Sequence, residues 1–495
     1  MSPRNSCNVQ PNDAEQDPKG SVKELEGSNI DLYIDPAEEK ALVKKLDRVI
    51  MPLMALVYFF QYLDKQSINY AAVFGLSEDL KLTGQQFSWA ISLFYFGQLC
   101  SEYPAAYLMS RLPITLFVGT TIILWGGVEM CLGASQGFSS LGATRFLLGF
   151  TEGAVSPSFM IITSSWYKRS EHPIRIATWV SMFGVSQIVG GLMMYGIGTG
   201  VHTIAAWRVL FLICGGLTMA AGILFVIVMP RNTNTAWFLN EREREICTRR
   251  LALDRATRDR AHFDWSQVRE AFRDPRTALY AAMALFITLP TPIVKFSSLV
   301  INGFGYNKFE TMLVGLPSGV IGFILVWVGG LGPKLLGNNT RCFIGIFLVC
   351  MPMLGSLLLL LLPQKASWGI VVSTWFAGAT APPLGQAVGL MASNIKGNTK
   401  KSVVSAVFFV FYCIGCIVGP QLWQKKDAPR YAKGCITSIV SFACLIVAFL
   451  VHYFTAKASN KKRSSEALDG IDEAAGLSND SDLTERQDKG FRYTY

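Results

Sequence analysis

Few ionisable residues interrupt the apolar stretches of this chain, and those few are the groups able to do chemistry there. The first apolar stretch runs into Gln61-Tyr62-Leu63-Asp64-Lys65. On a helix starting near Ile50, at about 1.5 Å per residue, Asp64 lies roughly 20 Å deep, inside a hydrocarbon layer about 30 Å thick. Successive helical residues are about 100° apart, so Asp64 and Lys65 need not pair with each other. One can hold a proton while the other holds an anion. A second group is Arg145 and Glu152, seven residues apart and therefore on one face, two turns from each other. Glu152 falls near the midplane, where a carboxyl unopposed by a cation keeps its proton, as a proton-coupling acid must.

Lys295 is the third group. Lys65 precedes Phe74-Gly75 by nine residues and Lys295 precedes Phe304-Gly305 by the same nine. If the two parts of the chain are structural repeats, both lysines face one cavity. With Arg145 they would make an anion-selective site. Gln61, Tyr62, Gln187, Trp375, Gln386 and Tyr412 are candidates for neutral contacts. The competing readings are interhelical hydrogen bonds for Asp64 and Lys65, a static ion pair for Glu152, and packing for the neutral residues. Glu129, near the expected outer end of its helix, and Glu102, near the inner end of its own, read as structural or gating groups.

The elements that must position these residues follow from composition. Hydrophobic residues make up 51% of the 495 and charged ones 16%, against about 25% charged in soluble domains. A bilayer core needs about 20 apolar residues per helix. Such segments start near Ile50, Phe87, Ile114, Leu141, Ile174 and Trp207, then near Leu279, Leu313, Cys342, Trp368, Ser402 and Gly434. The expected fold is an all-α membrane protein of about twelve transmembrane helices in two six-helix halves. The boundaries are a disordered tail over 1–48, a first half over 49–229, a polar central loop over 230–276, a second half over 277–455 and a disordered tail over 456–495.

The net charge of +10 sits outside the apolar stretches, so it reads as topology and not as nucleic-acid binding. Lys and Arg concentrate in alternate loops, which places both termini in the cytoplasm. The last outer loop, with Lys425, Lys426, Arg430 and Lys433, is the exception. Most of the eleven cysteines sit singly in apolar runs, where they act as small hydrophobes. Cys413 and Cys416 form a lone C-x-x-C without partner cysteines or histidines, so no metal or cofactor is expected. No nucleophile–base pair or phosphate loop appears, which argues against an enzyme.

The run from Leu63-Asp64-Lys65 through Gly75-Leu76-Ser77-Glu78-Asp79-Leu80, then Leu82-Thr83-Gly84, Phe94-Tyr95-Phe96-Gly97 and Glu102-Tyr103-Pro104, resembles the anion:cation symporter branch of the major facilitator superfamily. More narrowly it is similar to the fungal allantoate permease family. Arg145-Phe146 through Glu152-Gly153, Gly303-Phe304-Gly305, Gly397-Asn398-Thr399-Lys400-Lys401, Gly419-Pro420-Gln421 and Asp427-Ala428-Pro429 extend the match over roughly residues 45–455. The resemblance implies proton-coupled uptake of small carboxylates, of the nicotinate, allantoate, pantothenate, biotin or ureidosuccinate kind, by rocking of the two halves. It also implies coupling and carboxylate binding by Asp64, Lys65, Arg145 and Glu152. Lysine at 65 replaces the arginine common in the branch and loses bidentate geometry. A charge at 295 and Cys416 after Gly415 are further departures, pointing to a substrate with a second anionic or acceptor group.

The function expected is thus a secondary transporter, a symporter importing a small organic anion with protons. Asp64 and Glu152 would carry protons, and Lys65, Arg145, Lys295, Gln61, Tyr62, Gln187, Gln386 and Tyr412 would meet the substrate. The alternatives are an exporter of a secondary metabolite and a non-transporting nutrient sensor. A monomer in the lipid bilayer, by default in the plasma membrane, is expected.

Overall fold

The computed structural model describes residues 34–200, 203–255, 263–363, 367–424, 427–428, 431–468, 482–488 and 490–495. The acid-rich opening and Lys425, Lys426 and Arg430 lie outside these. The first half contains α1 (Pro36–Val73), α2 (Gln86–Arg111), α3 (Ile114–Leu132), α4 (Phe138–Trp166), α5 (His172–Thr199) and α6 (Ala206–Val228). Two linker helices follow, α7 (Glu241–Arg255) and α8 (Trp265–Arg273). The second half contains α9 (Pro275–Gly303), α10 (Lys308–Leu336), α11 (Arg341–Leu361), α12 (Ser367–Ala377), α13 (Pro382–Asn394), α14 (Asn398–Leu422) and α15 (Ala432–Leu468). Ten of these are long and apolar enough to cross a membrane. The more polar α2 and the broken pair α12–α13 fill the two remaining places of the twelve.

Breaks in the rods fall where the sequence cannot carry a helix through. α9 turns at Pro290-Thr291-Pro292, and α4 turns at Gly153 directly after Glu152. Lys295 sits on the first turn past its break. Irregular backbone at membrane depth is tolerated where protein or a wet cavity satisfies it.

Within the first half, α2 and α4 cross through reciprocal glycines. A Cβ on Gly97 would lie 2.0 Å from the Phe146 carbonyl oxygen, and one on Gly149 would lie 1.8 Å from that of Phe94. Only hydrogens at both positions allow this approach, the usual solution where no hydrophobic effect drives helices together.

Both polar ends are more structured than their composition suggests. α1 begins at Pro36, inside the expected tail, with the Asp35 side chain accepting from the Ala37 amide at 3.0 Å. Its acids find basic partners distant in sequence: Lys168 meets Glu39 (2.5 Å), Arg175 meets Asp47 (2.9 Å) and Arg242 meets Glu38 (3.0 Å). At the other end α15 runs on past residue 456, and residues 482–488 and 490–495 fold back as a strap under the second half. Asp488 takes Lys396 (2.6 Å), Arg463 donates to the Glu485 and Phe491 carbonyls (2.6 Å each), and the Arg276 guanidinium lies 3.3 Å from the centre of the Tyr493 ring. Net polarity predicts disorder only where such partners are lacking.

The strap is pinned by the fully buried Lys400 ammonium, which fills the space between Glu270 (2.9 Å), Asp274 (2.8 Å) and Glu485. Burial opposes ionisation of Asp274, but Lys400, the Arg276 amide and Arg486 outweigh it and lower its pKa. Its contribution is therefore complete above an unfolded value of about 3.9 and is lost as pH falls through the lower folded value. Lys400→Met leaves Glu270 and Glu485 without this cation and Asp274 with Arg486 alone, a change of about 3–5 kcal/mol. Trypsin should then cut at the half-exposed Arg486 at least tenfold faster at neutral pH. An unchanged cleavage rate would mean that Lys400 does not hold the strap.

Candidate functional site

Among the described residues, the hydrogen bonds between the two halves lie on one side. Asn69 donates to Ser298 (2.9 Å), Ser92 to the Ile417 carbonyl (2.7 Å), Gln421 to Ser92 (2.9 Å) and Ser88 to the Trp423 carbonyl (3.2 Å). These groups all lie toward the ends of α1, α2, α9 and α14 remote from the linker. Phe87 and Phe296 close the same end edge to face (5.6 Å). On the linker side, the ion pairs of the described residues stay within one half and its own linker helix. The halves are thus latched by hydrogen bonds at one end, while nearer the linker α5 and α10 meet through small residues, Ala177 against Gly330.

Lys65 and Lys295 lie just below this latch. Lys65 pairs with Glu152 at 2.8 Å, with Glu152 1% exposed, and its ammonium lies 5.5 Å from the Tyr62 ring centre and 5.7 Å from that of Phe94. Lys295 crosses from the other half and donates to the main-chain carbonyl of Lys65 and to Gln66 Oε1 (3.2 Å). Among the described residues it touches no carboxylate. Next to it a small pocket is lined by Gln66, Asn69, Gln187, Val294, Ser298 and Met312, among others.

Asp64 turns the other way, as its 100° offset from Lys65 requires. It is fully buried inside the first half, where its Oδ2 accepts from Trp125 Nε1 (2.6 Å) and Thr218 Oγ1 (3.0 Å). Arg145 is also buried; it lies amid Glu129, Asp64 and Glu152 without closing an ion pair, and its Nε and Nη2 have no hydrogen-bond partner. Gln61 lies beside Glu152 with its Oε1 unpartnered. Tyr62 packs on Phe183 (4.9 Å) and Tyr58 (5.3 Å).

Two other expected contacts are committed elsewhere. Gln386 donates to the Gly329 carbonyl (2.6 Å) and Trp375 to that of Val314 (2.7 Å), both inside the second half. Tyr412 stacks on Phe409 (5.9 Å). Gln187 borders the cavity, and its carbonyl accepts from Tyr70 (3.1 Å).

Sequence reasoning set Glu129 apart from the other charges, at a helix end. It is fully buried and accepts from Ser67 at 2.9 Å. The available signal was its i, i+4 spacing from Trp125, which puts both on the face of α3 turned to α1.

A helical membrane protein of two halves, latched at one end over buried charges, has the architecture of an alternating-access carrier. The chain belongs to the Major Facilitator Superfamily, whose sequence profile matches residues 54–420. Within it the chain falls among fungal transporters of the allantoate permease type. It is 34% identical over 92% of its length to an uncharacterised transporter of Schizosaccharomyces pombe, covering 88% of that protein. The allantoate permease of Saccharomyces cerevisiae is 30% identical over 94% of this chain and 88% of its own. Among solved structures, a bacterial homologue of the human lysosomal transporter Spinster, inward-facing and unoccupied, superposes with a TM-score of 0.57. It is 14% identical, covering 85% of this chain and 97% of that one, and it supports the fold alone.

Proposed function

We propose that this transporter imports a small organic anion together with protons, the cargo being a nicotinate-like, vitamin-type or ureide carboxylate. The observation that carries this reading is the Lys295 ammonium, held at the plane between the halves by neutral oxygens beside a small pocket. A desolvated cation with no counter-ion is a strong attractor for an anion. Lys65 stands next to it, and its pairing with Glu152 can open to a substrate carboxylate. Arg145 and Asp64 sit behind, reaching the substrate through charge and not contact. In this reading Gln187 and Gln66 supply neutral contacts from the cavity wall. The protein acts as a monomer in the plasma membrane with both termini cytoplasmic, so the latch closes the outer side.

Radiolabelled allantoate, nicotinate and related carboxylates, offered to permease-deficient yeast expressing the chain, provide the test. Accumulation of at least one, higher at acidic than neutral pH and abolished by an uncoupler, is expected. Surface-expressed protein that accumulates none of them, or does so regardless of the uncoupler, would overturn the proposal.

A further inference from the structure

The carboxyl groups of Asp64 and Glu129 form a cluster of their own, turned away from the plane where the halves meet. Both are fully buried. Each has one oxygen satisfied: Asp64 Oδ2 by Trp125 and Thr218, and Glu129 Oε1 by Ser67, whose hydroxyl also reaches the Asp64 carbonyl at 2.6 Å. The other oxygen of each, Asp64 Oδ1 and Glu129 Oε2, is buried without a hydrogen-bond partner. Facing the pair from the neighbouring helices are Arg145 and Glu152 of α4, Cys214 and Thr218 of α6 and Trp125 of α3. Among the described residues, Arg145 is thus the one cation directed at them.

Two carboxylates in one buried site with a single guanidinium do not both ionise without large cost; such pairs keep a proton. Glu152 is the remaining acid of the region, and contact with Lys65 at 2.8 Å holds it as the anion. The geometry points to Asp64 and Glu129 as a carboxyl pair that holds one proton between them, making Glu129 a part of the proton site.

The charge count gives the pair its consequence. Lys65 cancels Glu152. With one proton on the pair, Arg145 cancels the remaining carboxylate, and Lys295 leaves the buried region at +1, ready for one negative charge. When the proton leaves for solvent both carboxylates are ionised, the region falls to zero, and an anion brought in there is uncompensated. While Lys295 stays protonated, one proton is therefore exchanged per negative charge of cargo. The cargo in this count rests on the function proposed above; the shared proton does not.

The test needs no substrate. Infrared difference spectra of the purified full-length protein in lipid nanodiscs, recorded across a pH titration, read the C=O stretch of protonated carboxyls directly. A single band is expected that disappears with rising pH, is lost in Glu129→Gln and equally in Asp64→Asn, and persists in Glu152→Gln. Each single variant loses it because the surviving carboxyl ionises against Arg145. A band of full size in Glu129→Gln would assign the proton to Asp64 alone and overturn the pair. A band lost only in Glu152→Gln would do the same. If Asp64→Asn does not fold, a band that survives in Glu129→Gln still overturns the pair, and Asp64→Glu, which keeps the carboxyl and should shift the band, takes the place of the asparagine variant. A failed uptake assay leaves these spectra unaffected, so the two proposals fail separately.

Discussion

Lys65→Met is expected to destabilise the protein by about 3–5 kcal/mol and to reduce anion uptake at least 100-fold, since about 1.4 kcal/mol corresponds to a factor of ten. The stability loss comes from Glu152, which is 1% exposed and has Lys65 as its ion-pair partner. Removing one member of a buried pair strands the other, whereas removing both is close to neutral. Lys65→Met/Glu152→Gln should therefore regain most of the thermal stability. It should not regain uptake, because the cation that receives the substrate is still missing. Thermal unfolding in detergent and uptake at acidic pH separate the two effects. A double variant as unstable as the single one would show that the pair is not what holds these helices, and full uptake by the single variant would remove Lys65 from the substrate path.

Gly149→Val should leave no folded, monodisperse protein. Ordinary overpacking costs about 1–3 kcal/mol because side chains yield. Here the atom met is the Phe94 carbonyl oxygen at 1.8 Å, and main chain in a helix cannot turn aside. α2 and α4 must separate, which displaces Arg145 and Glu152 on α4 together with Phe94 and Tyr95 on α2. Gly127→Ala serves as the control, since nothing lies within 4 Å of a Cβ there; it should elute and melt like the parent. A well-behaved Gly149→Val protein would mean that the crossing is looser than described.

The helical rods were legible because a bilayer imposes its own length on apolar segments. The divergence of Asp64 and Lys65 was legible as well, because the angle between neighbours on a helix is fixed. The equal nine-residue offsets to Phe74-Gly75 and Phe304-Gly305 set both lysines on one cavity; Lys295 does reach the Lys65 carbonyl, but neither lysine lines the pocket beside them. What stayed hidden depended on partners from elsewhere in the chain. Glu129 looks peripheral when its depth is counted from a helix boundary, but burial there is decided by α4 and α6 packing along α3. Gln386 and Trp375 looked available, since nothing in their spacing announces the Gly329 and Val314 carbonyls that occupy them. The strap reads as a tail because its composition has no apolar core of its own. Its order comes from Lys400, Arg463 and Arg276, basic groups on distant elements.

The bond from Lys295 to the main chain of Lys65 has a bearing on how this carrier can diversify. A carbonyl oxygen is common to every amino acid, so the second half registers against α1 whatever side chain stands at position 65. Natural variation or laboratory selection can therefore change the group presented to cargo without rebuilding the joint between the halves. Selectivity and rocking are separable traits at this position, and a library at residue 65, combined with compensating choices at 152, is the place to look for altered cargo in a carrier that still moves.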